Sequence, residues 1–310
     1  MPPEGASLEL QARAKVNLTL EVLRRREDGY HDIVSVMQAI DLADQVRLRV
    51  RPGAGIELRV QGARLPLPAA AGNLAWDAAQ AWRRAAELGR GGAGSVATYG
   101  EVAVEIELTK RIPVGAGLGG GSADAAAVLY GLNTLFGRPL GAAALFRLAA
   151  GIGSDVPFFL AGGTCRASGR GEKLRRLPAL PPLWVIVVAP AIPVETQWAY
   201  EARSSEELTS RGASSRILES AIRKRSTSLI ARHLTNDLER VVARRYGVVA
   251  EVLETLRAAK PIGACMSGSG SSAFALAEDR GEAMRLAEVL RRRNHPVLVC
   301  RSHSRGMTCA

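Results

Sequence analysis

The chain has 310 residues, a length that sets an expectation of about two domains. Its residues are 47% hydrophobic and 23% charged, which supplies buried cores and excludes a disordered chain. The 41 basic residues exceed the 30 acidic ones, giving a formal charge of +11; five are lysine, leaving 36 arginines. That charge points to an anionic partner (nucleic acid, acidic lipid or a phosphorylated small molecule) without choosing among them. No apolar run reaches the ~18–20 residues of a membrane span. The longest, Leu183 to Ala189, is strand-sized. The N-terminus lacks the basic-then-apolar order of a secretory signal. Cys165, Cys265, Cys300 and Cys309 form no Cys-x-x-Cys pair, so they read as buried or incidental thiols of a reducing cytosol rather than zinc ligands.

The elements follow from hydrophobic periodicity. Val16, Leu18, Leu20 and Val22 alternate with Lys15, Asn17, Thr19 and Glu21, which predicts a strand with one buried face. Val46, Leu48 and Val50 form a second alternation. Pro52-Gly53-Ala54-Gly55 then supplies a turn and Ile56, Leu58 and Val60 alternate again, so this stretch reads as a hairpin. Asn73 suits the N-cap of a helix over about Leu74 to Leu88, ended by the stretch Gly89 to Gly94. Val102, Val104, Ile106 and Leu108 mark another strand. After a glycine-rich run comes a helix from near Ser122, with Val128, Leu129, Leu132, Leu135 and Phe136 on one face. A further helix covers about Leu140 to Ala150, and Trp184 to Ala189 reads as a buried central strand. Ser204 to Ser228, rich in Ser, Arg and Glu, has little clear periodicity and reads as a mobile or poorly ordered insert. Val248 to Leu256 predicts a helix, Ala273 to Leu276 a strand, Met284 to Leu290 a helix and Val297 to Cys300 a last strand. Strands and helices in both halves give an α+β class in two domains, with the boundary between about 160 and 180.

The run Pro113-Val114-Gly115-Ala116-Gly117-Leu118-Gly119-Gly120-Gly121-Ser122-Ala123 holds five glycines in the seven residues from Gly115 to Gly121. Glycine lets a ligand approach the backbone closely, and the helix behind it offers unpaired N–H groups and a positive dipole end. Together they make a cradle for a triphosphate. The run also suits a flexible linker; its place between an amphipathic strand and an amphipathic helix favours the phosphate site. No Gly-Lys-Ser/Thr follows, which excludes the Walker pattern, and no βαβ unit with a ribose-binding acid follows, which excludes the dinucleotide fingerprint.

Extended through Asp124-Ala125-Ala126, this run resembles the central motif of the GHMP kinases (galactokinase, homoserine, mevalonate and phosphomevalonate kinases). Ala14-Lys15-Val16-Asn17-Leu18 resembles part of their first motif, and Met266-Ser267-Gly268-Ser269-Gly270-Ser271-Ser272-Ala273-Phe274-Ala275-Leu276 their third. Asp28-Gly29-Tyr30-His31 narrows the resemblance to the branch that phosphorylates the 2-hydroxyl of 4-diphosphocytidyl-2-C-methyl-D-erythritol, in the non-mevalonate route to isoprenoid precursors. Gly153 to Phe159, Pro190 to Tyr200 and Asn236-Asp237-Leu238-Glu239 resemble further strings of that branch. The resemblance runs from about residue 10 to about residue 300. It implies a two-domain GHMP kinase fold, with an N-terminal nucleotide-binding domain over 1–165, a C-terminal domain over 166–310 and a cleft between them. It further implies ATP as co-substrate with Mg2+, a cytoplasmic monomer or homodimer, and neither nucleic acid nor membrane as partner.

Phosphoryl transfer from ATP to an alcohol needs a phosphate cradle, a group to take the hydroxyl proton and positive charge near the transferring group. The resemblance makes Asp155 the base; read as residues alone, Ser-Asp before Val-Pro also suits a cap of the next turn. Asp124, at the start of the helix after the loop, is the competing carboxylate, where an acid has an ordinary dipole role. Lys15 and Asn17 lie two apart on a strand, on one face and ~7 Å apart at Cα. Lys15 is placed to orient Asp155 and steady charge on the phosphoryl group, unless it is a solvated edge lysine. By resemblance, His31 hydrogen-bonds the cytosine edge, Tyr30 lies near that base and Tyr200 stacks on it, a contact of about 1–3 kcal/mol. Otherwise the two tyrosines are half-buried packing residues. Asn17 and Thr196 join the substrate site. Gly268, Ser269 and Gly270 form a nest for the substrate's diphosphate. Asn73 lies near the adenine pocket or is a plain N-cap. No metal ligand is assigned.

Two positions depart from the family pattern: Ser122-Ala123 stands where many relatives carry Ser-Ser, and Gln197 where proline is frequent. Two other functions compete. A GHMP kinase for mevalonate or homoserine would have no use for Tyr30, His31 and Tyr200. A basic nucleic-acid-binding protein would cluster arginines among aromatics, whereas these arginines are scattered in short groups such as Arg24-Arg25-Arg26 and Arg291-Arg292-Arg293.

Overall fold

Two strands far longer than the usual ~5–6 residues open the chain: β1 (Ser7–Arg25) and β2 (His31–Pro52). The structure, a computed structural model, describes residues 5–63, 65–88, 102–190, 192–204 and 212–309. β1 and β2 pair antiparallel, with register shifts between Arg13 and Lys15, Asn17 and Thr19, and Val22 and Arg24. Such irregularities redirect side chains. Leu10 and Ala12 enter one core, whereas Ala14, Val16 and Leu18 enter another. The expected single buried face is therefore corrected: β1 is buried on both faces from Ala12 to Val22, because Lys15, Asn17 and Thr19 turn into a polar interior rather than to solvent.

After β3 (Ile56–Gln61), α1 (Leu74–Leu88) and β4 (Val102–Thr109), the expected hairpin proves wrong. β4 lies between β2 and β3, antiparallel to the first and parallel to the second. The turn at Pro52–Gly55 reverses the chain but does not choose its partner. The stretch Gly89 to Gly94 lies outside the described residues. α2 (Gly120–Leu135), α3 (Ala142–Ile152) and α4 (Val156–Ala161) follow. α2 lies close against the long strands: a Cβ at Gly131 would stand 2.4 Å from Leu48 and 2.9 Å from Leu10. β5 (Thr164–Gly169) adds to β2, and β6 (Lys173–Arg176) to β5.

The second sheet has the order β11–β7–β10–β9, all antiparallel. Its members are β7 (Trp184–Val188), β9 (Gly263–Met266), β10 (Ala273–Ala277) and β11 (Val297–Arg301). Between them run α5 (Thr196–Ser204), α6 (Ala213–Arg223), α7 (Thr227–Arg232), the two-residue β8 (Thr235–Asn236), α8 (Glu239–Arg245), α9 (Gly247–Ala258) and α10 (Arg280–Arg292). The expected insert is corrected as well. α6 buries Ser215, Leu218, Ala221 and Ile222 at helical spacing, a stripe that the surrounding Ser, Arg and Glu obscure; residues 205–211 of that stretch lie outside the described residues. The chain ends by returning β12 (Met307–Cys309) to the free edge of β1. Cys165, Cys265 and Cys300 are buried and unpaired, and Cys309 is exposed. Among the described residues, no helix is long and apolar enough to cross a membrane, and no group of three or more His, Cys, Asp or Glu is placed to hold a metal ion.

Candidate active site

A cleft of about 880 Å³ opens between the first sheet, the glycine-rich run and the loop before β10. Lys15 and Asn17 reach it from the irregular stretch of β1. Lys15 Nζ donates to Asn17 Oδ1 at 2.6 Å and stands 3.4 Å from Asp155 Oδ2. Asn17 is itself fixed, its Nδ2 donating to Ser35 Oγ at 2.8 Å, and Ser35 Oγ donates to the Thr19 carbonyl. Lys15 is 4% exposed at its side chain and Asp155 33%, so the lysine is locked and the carboxylate faces the cleft. Asp155 occupies the N-cap position of α4, yet its side chain makes no cap hydrogen bond. The carboxylate is committed to Lys15, which decides against the plain-cap reading, and Lys15 is no solvated edge residue.

The glycine run wraps the N-terminus of α2. Gly119 adopts φ +75 there, and a Cβ on it would stand 2.6 Å from the Phe159 ring and 3.3 Å from Lys15 Cε. At Gly117, φ +76, a Cβ would overlap the Ser267 carbonyl at 2.1 Å. The two glycine-rich loops therefore touch through backbone, an approach only glycine allows. Ser267 Oγ donates to the Gly117 carbonyl at 3.0 Å and Ser272 N to the Ala116 carbonyl at 3.1 Å. Pro113 to Gly117 and Gly119 to Ser122 line the cleft, whereas Leu118 and Ala123 are fully buried behind it.

The string Asn236 to Glu239 braces the second loop. Asn236 Nδ2 donates to the Met266 and Gly268 carbonyls, Glu239 accepts from Met266 N, and Asp237 accepts from Val22 N. Gly268 and Ser269 line the cleft, and Thr196 Oγ1 lies 2.9 Å from Ser269 Oγ. Gly270 does not line it; it faces Met266, Val242 and Val194.

Tyr30, His31 and Tyr200 also line the cleft. His31 and Tyr200 stack with ring centroids 5.4 Å apart. His31 Nε2 is buried without a hydrogen-bond partner, so a polar ligand edge would satisfy it. Burial, aided by the Arg25 charge, holds the His31 pKa below its usual value, which keeps the ring neutral. Burial and the nearby Asp155 charge push the Tyr200 phenol up, so it too stays neutral. Asn73 both lines the cleft and caps α1: its Oδ1 accepts from Ala75 N at 3.1 Å.

Sequence reasoning missed Lys110. It lies buried behind the α2 N-terminus and bonds both Asp44 and Asp124. Asp44 also accepts from Arg111 N and Ile112 N, whereas Asp124 Oδ1 has no partner. Two carboxylates share one ammonium, and burial pushes the Asp124 pKa up. Lys110 is one of only five lysines and stands three residues before the glycine run, which was the available signal. Asp124 is thus tied to Lys110 rather than serving as a simple dipole acid.

Residues 73–163 match the GHMP kinases N terminal domain and residues 218–296 the GHMP kinases C terminal domain. The chain belongs to the GHMP kinases. Its relatives include 4-diphosphocytidyl-2-C-methyl-D-erythritol kinase of Geobacter sulfurreducens, 42% identical over 93% of this chain and 96% of that one. The enzyme of the same name from Pelotomaculum thermopropionicum is 44% identical over 94% and 96%. A crystal structure of 4-(cytidine 5'-diphospho)-2C-methyl-D-erythritol kinase superposes with a TM-score of 0.74 at 36% identity, covering 96% of this chain and all of that one. A homoserine kinase from Cytophaga hutchinsonii shares the fold, with a TM-score of 0.76 at 23% identity over 98% and 97%.

Proposed function

We propose that the chain transfers the γ-phosphoryl group of ATP to the 2-hydroxyl of 4-diphosphocytidyl-2-C-methyl-D-erythritol, giving ADP and the 2-phosphate in the non-mevalonate route to isoprenoid precursors. The observation that carries this reading is the Lys15–Asp155 pair, 3.4 Å apart, set between a glycine cradle and an aromatic end. ATP lies with its phosphates on the backbone N–H groups of the loop and on the positive end of α2. Asp155 accepts the proton of the 2-hydroxyl as its oxygen attacks the γ-phosphorus. Lys15 holds the carboxylate in place and steadies the negative charge of the transferring group. His31, Tyr30 and Tyr200 receive the cytosine, the His31 ring using its neutral form to meet the base edge. This end distinguishes the substrate from mevalonate and homoserine, which carry no base.

The reaction implies Mg2+ travelling with ATP. Mg2+ takes most of its ligands from phosphate and water, so one or two protein oxygens suffice. The residues fit: Asp124 Oδ1 is buried and unpartnered in the first turns of α2, and Asp124 and Ser122 both line the cleft. When bound, the ion neutralises charge on the phosphates. We read the chain as two domains dividing near residue 165, with β5, β6, β8 and β12 crossing back over that division to join the first sheet. It works in the cytoplasm as a monomer or homodimer, with no nucleic-acid partner.

A coupled ADP-release assay with purified protein tests the reading. Turnover is expected with the cytidylyl substrate and not with mevalonate or homoserine. Turnover with either of those and none with the cytidylyl compound would refute it.

A further inference from the structure

The turn joining β5 to β6 carries a cation that the mechanism above leaves unused. Its residues are Gly169-Arg170-Gly171-Glu172, with φ +71 at Gly169 and +118 at Gly171. Glu172 Oε2 accepts from Arg170 N at 2.7 Å, so the turn's own side chain fixes its shape. The tip leans on the reacting end of the cleft: a Cβ at Gly171 would stand 3.7 Å from Asp155 Oδ1 and 3.7 Å from Ser154. The Arg170 guanidinium lies over the Tyr30 ring, 4.7 Å from its centroid, and lines the cleft. Stacking of this kind orients a guanidinium while leaving its N–H edge free.

Among the described residues, three cations line the cleft: Lys15, Lys110 and Arg170. Lys15 is committed to Asp155 and Asn17, and Lys110 to Asp44 and Asp124. Arg170 forms no ion pair among the described residues. The nearby Asp28 is held by Arg26 through hydrogen bonds from both Nε and Nη2. The Arg170 charge helps to lower the Asp28 pKa, but its guanidinium donates no hydrogen bond among the described residues, so it presents a forked donor between Tyr30 and Asp155.

We infer that Arg170 binds the diphosphate of the cytidylyl substrate. The inference rests on the function proposed above, in which that diphosphate joins the base-bearing half to the half whose hydroxyl reacts. A chain held at Tyr30 by its base and at Asp155 by its hydroxyl carries its two phosphates past Arg170. A guanidinium matches phosphate oxygens with two parallel N–H donors, and such charged hydrogen bonds are short and strong. The Gly268–Ser269 backbone then faces the same diphosphate from the opposite loop.

Binding of CDP, cytidine and a non-hydrolysable ATP analogue to the intact wild type, Arg170→Gln and Arg170→Lys tests this without turnover. Arg170→Gln is expected to weaken CDP by about 10- to 100-fold, the range of a lost charged hydrogen bond. Cytidine and the ATP analogue keep their affinities, and Arg170→Lys recovers part of the CDP affinity. Unchanged CDP binding would overturn the inference. So would equal weakening of CDP and cytidine, which would mean that Arg170 only supports Tyr30, or selective weakening of the ATP analogue, which would place it on the nucleotide phosphates. Wild-type turnover of the cytidylyl substrate is measured alongside. If it is absent while CDP discrimination stands, the functional reading fails rather than the Arg170 assignment.

Discussion

Asp155 reaches the cleft because a network fixes its partner. Ser35 holds Asn17, Asn17 holds Lys15, and Lys15 holds the carboxylate at 3.4 Å. Removing a general base typically costs about 10²–10⁴-fold in rate. Asp155→Asn is therefore expected to lower kcat by that range while the affinity for an ATP analogue changes less than about twofold. Near-normal turnover would remove Asp155 from the proton transfer. His31 gives a pH dependence of defined sign. Its pKa lies below the usual 6.5, so the ring stays neutral above that pH and protonates as pH falls through the lowered value. The KM for the cytidylyl substrate is expected to stay level above pH 6.5 and to rise on acidification, while the KM for ATP does not follow it. A His31→Gln variant should lack that rise; the same acid limb in the variant would assign it to another group. These residues were legible because motif strings place them. Lys110, Asp44 and Arg170 were not, since each acquires meaning only from a partner distant in the chain: Asp44 lies 66 positions from Lys110.

Among the elements, the contact of the two glycine-rich loops decides the shape of the cleft. Gly117→Ala would drive a methyl into the Ser267 carbonyl and hold φ +76 against its preference. A loss of both Tm and kcat/KM is expected. Gly121→Ala is the matched control, with 3.6 Å to Leu74 and ordinary helical backbone. There alanine suits the helical backbone at least as well as glycine, so Tm should hold or rise. Equal Tm losses in both variants would mean that the loop contact is not what matters. Helices and strands with clean periodicity, such as α1 and β4, were readable from local pattern. Their neighbours were not: β4 enters between β2 and β3 because pairing is a long-range choice, and the buried stripe of α6 is too short to stand out among its polar residues.

On the scale of the molecule, β1 is the spine. Leu10 and Ala12 belong to one core, Ala14, Val16 and Leu18 to a second, and Leu20 and Val22 to a third. β12 then fastens the C-terminal end of the chain to the same strand. The two sheets are thus expected to unfold in a single calorimetric transition; two resolved transitions would show that the cores separate. The net charge of +11 lies mostly away from the cleft, with many arginines spent in surface pairs such as Arg47–Glu9, Arg51–Glu105 and Arg257–Glu239. Such pairs contribute little stability each.

Phosphoryl transfer from ATP to one hydroxyl of a cytidylyl substrate, with Asp155 as base, can be followed by phosphorus-31 NMR of a single reaction with purified protein. The expected spectrum converts ATP to ADP and gains one phosphomonoester resonance on the substrate, whose diphosphate signals persist, and Asp155→Asn leaves the mixture unchanged over the same time. ADP formed without a new phosphomonoester, or the same product formed at the same rate by the variant, would contradict the account.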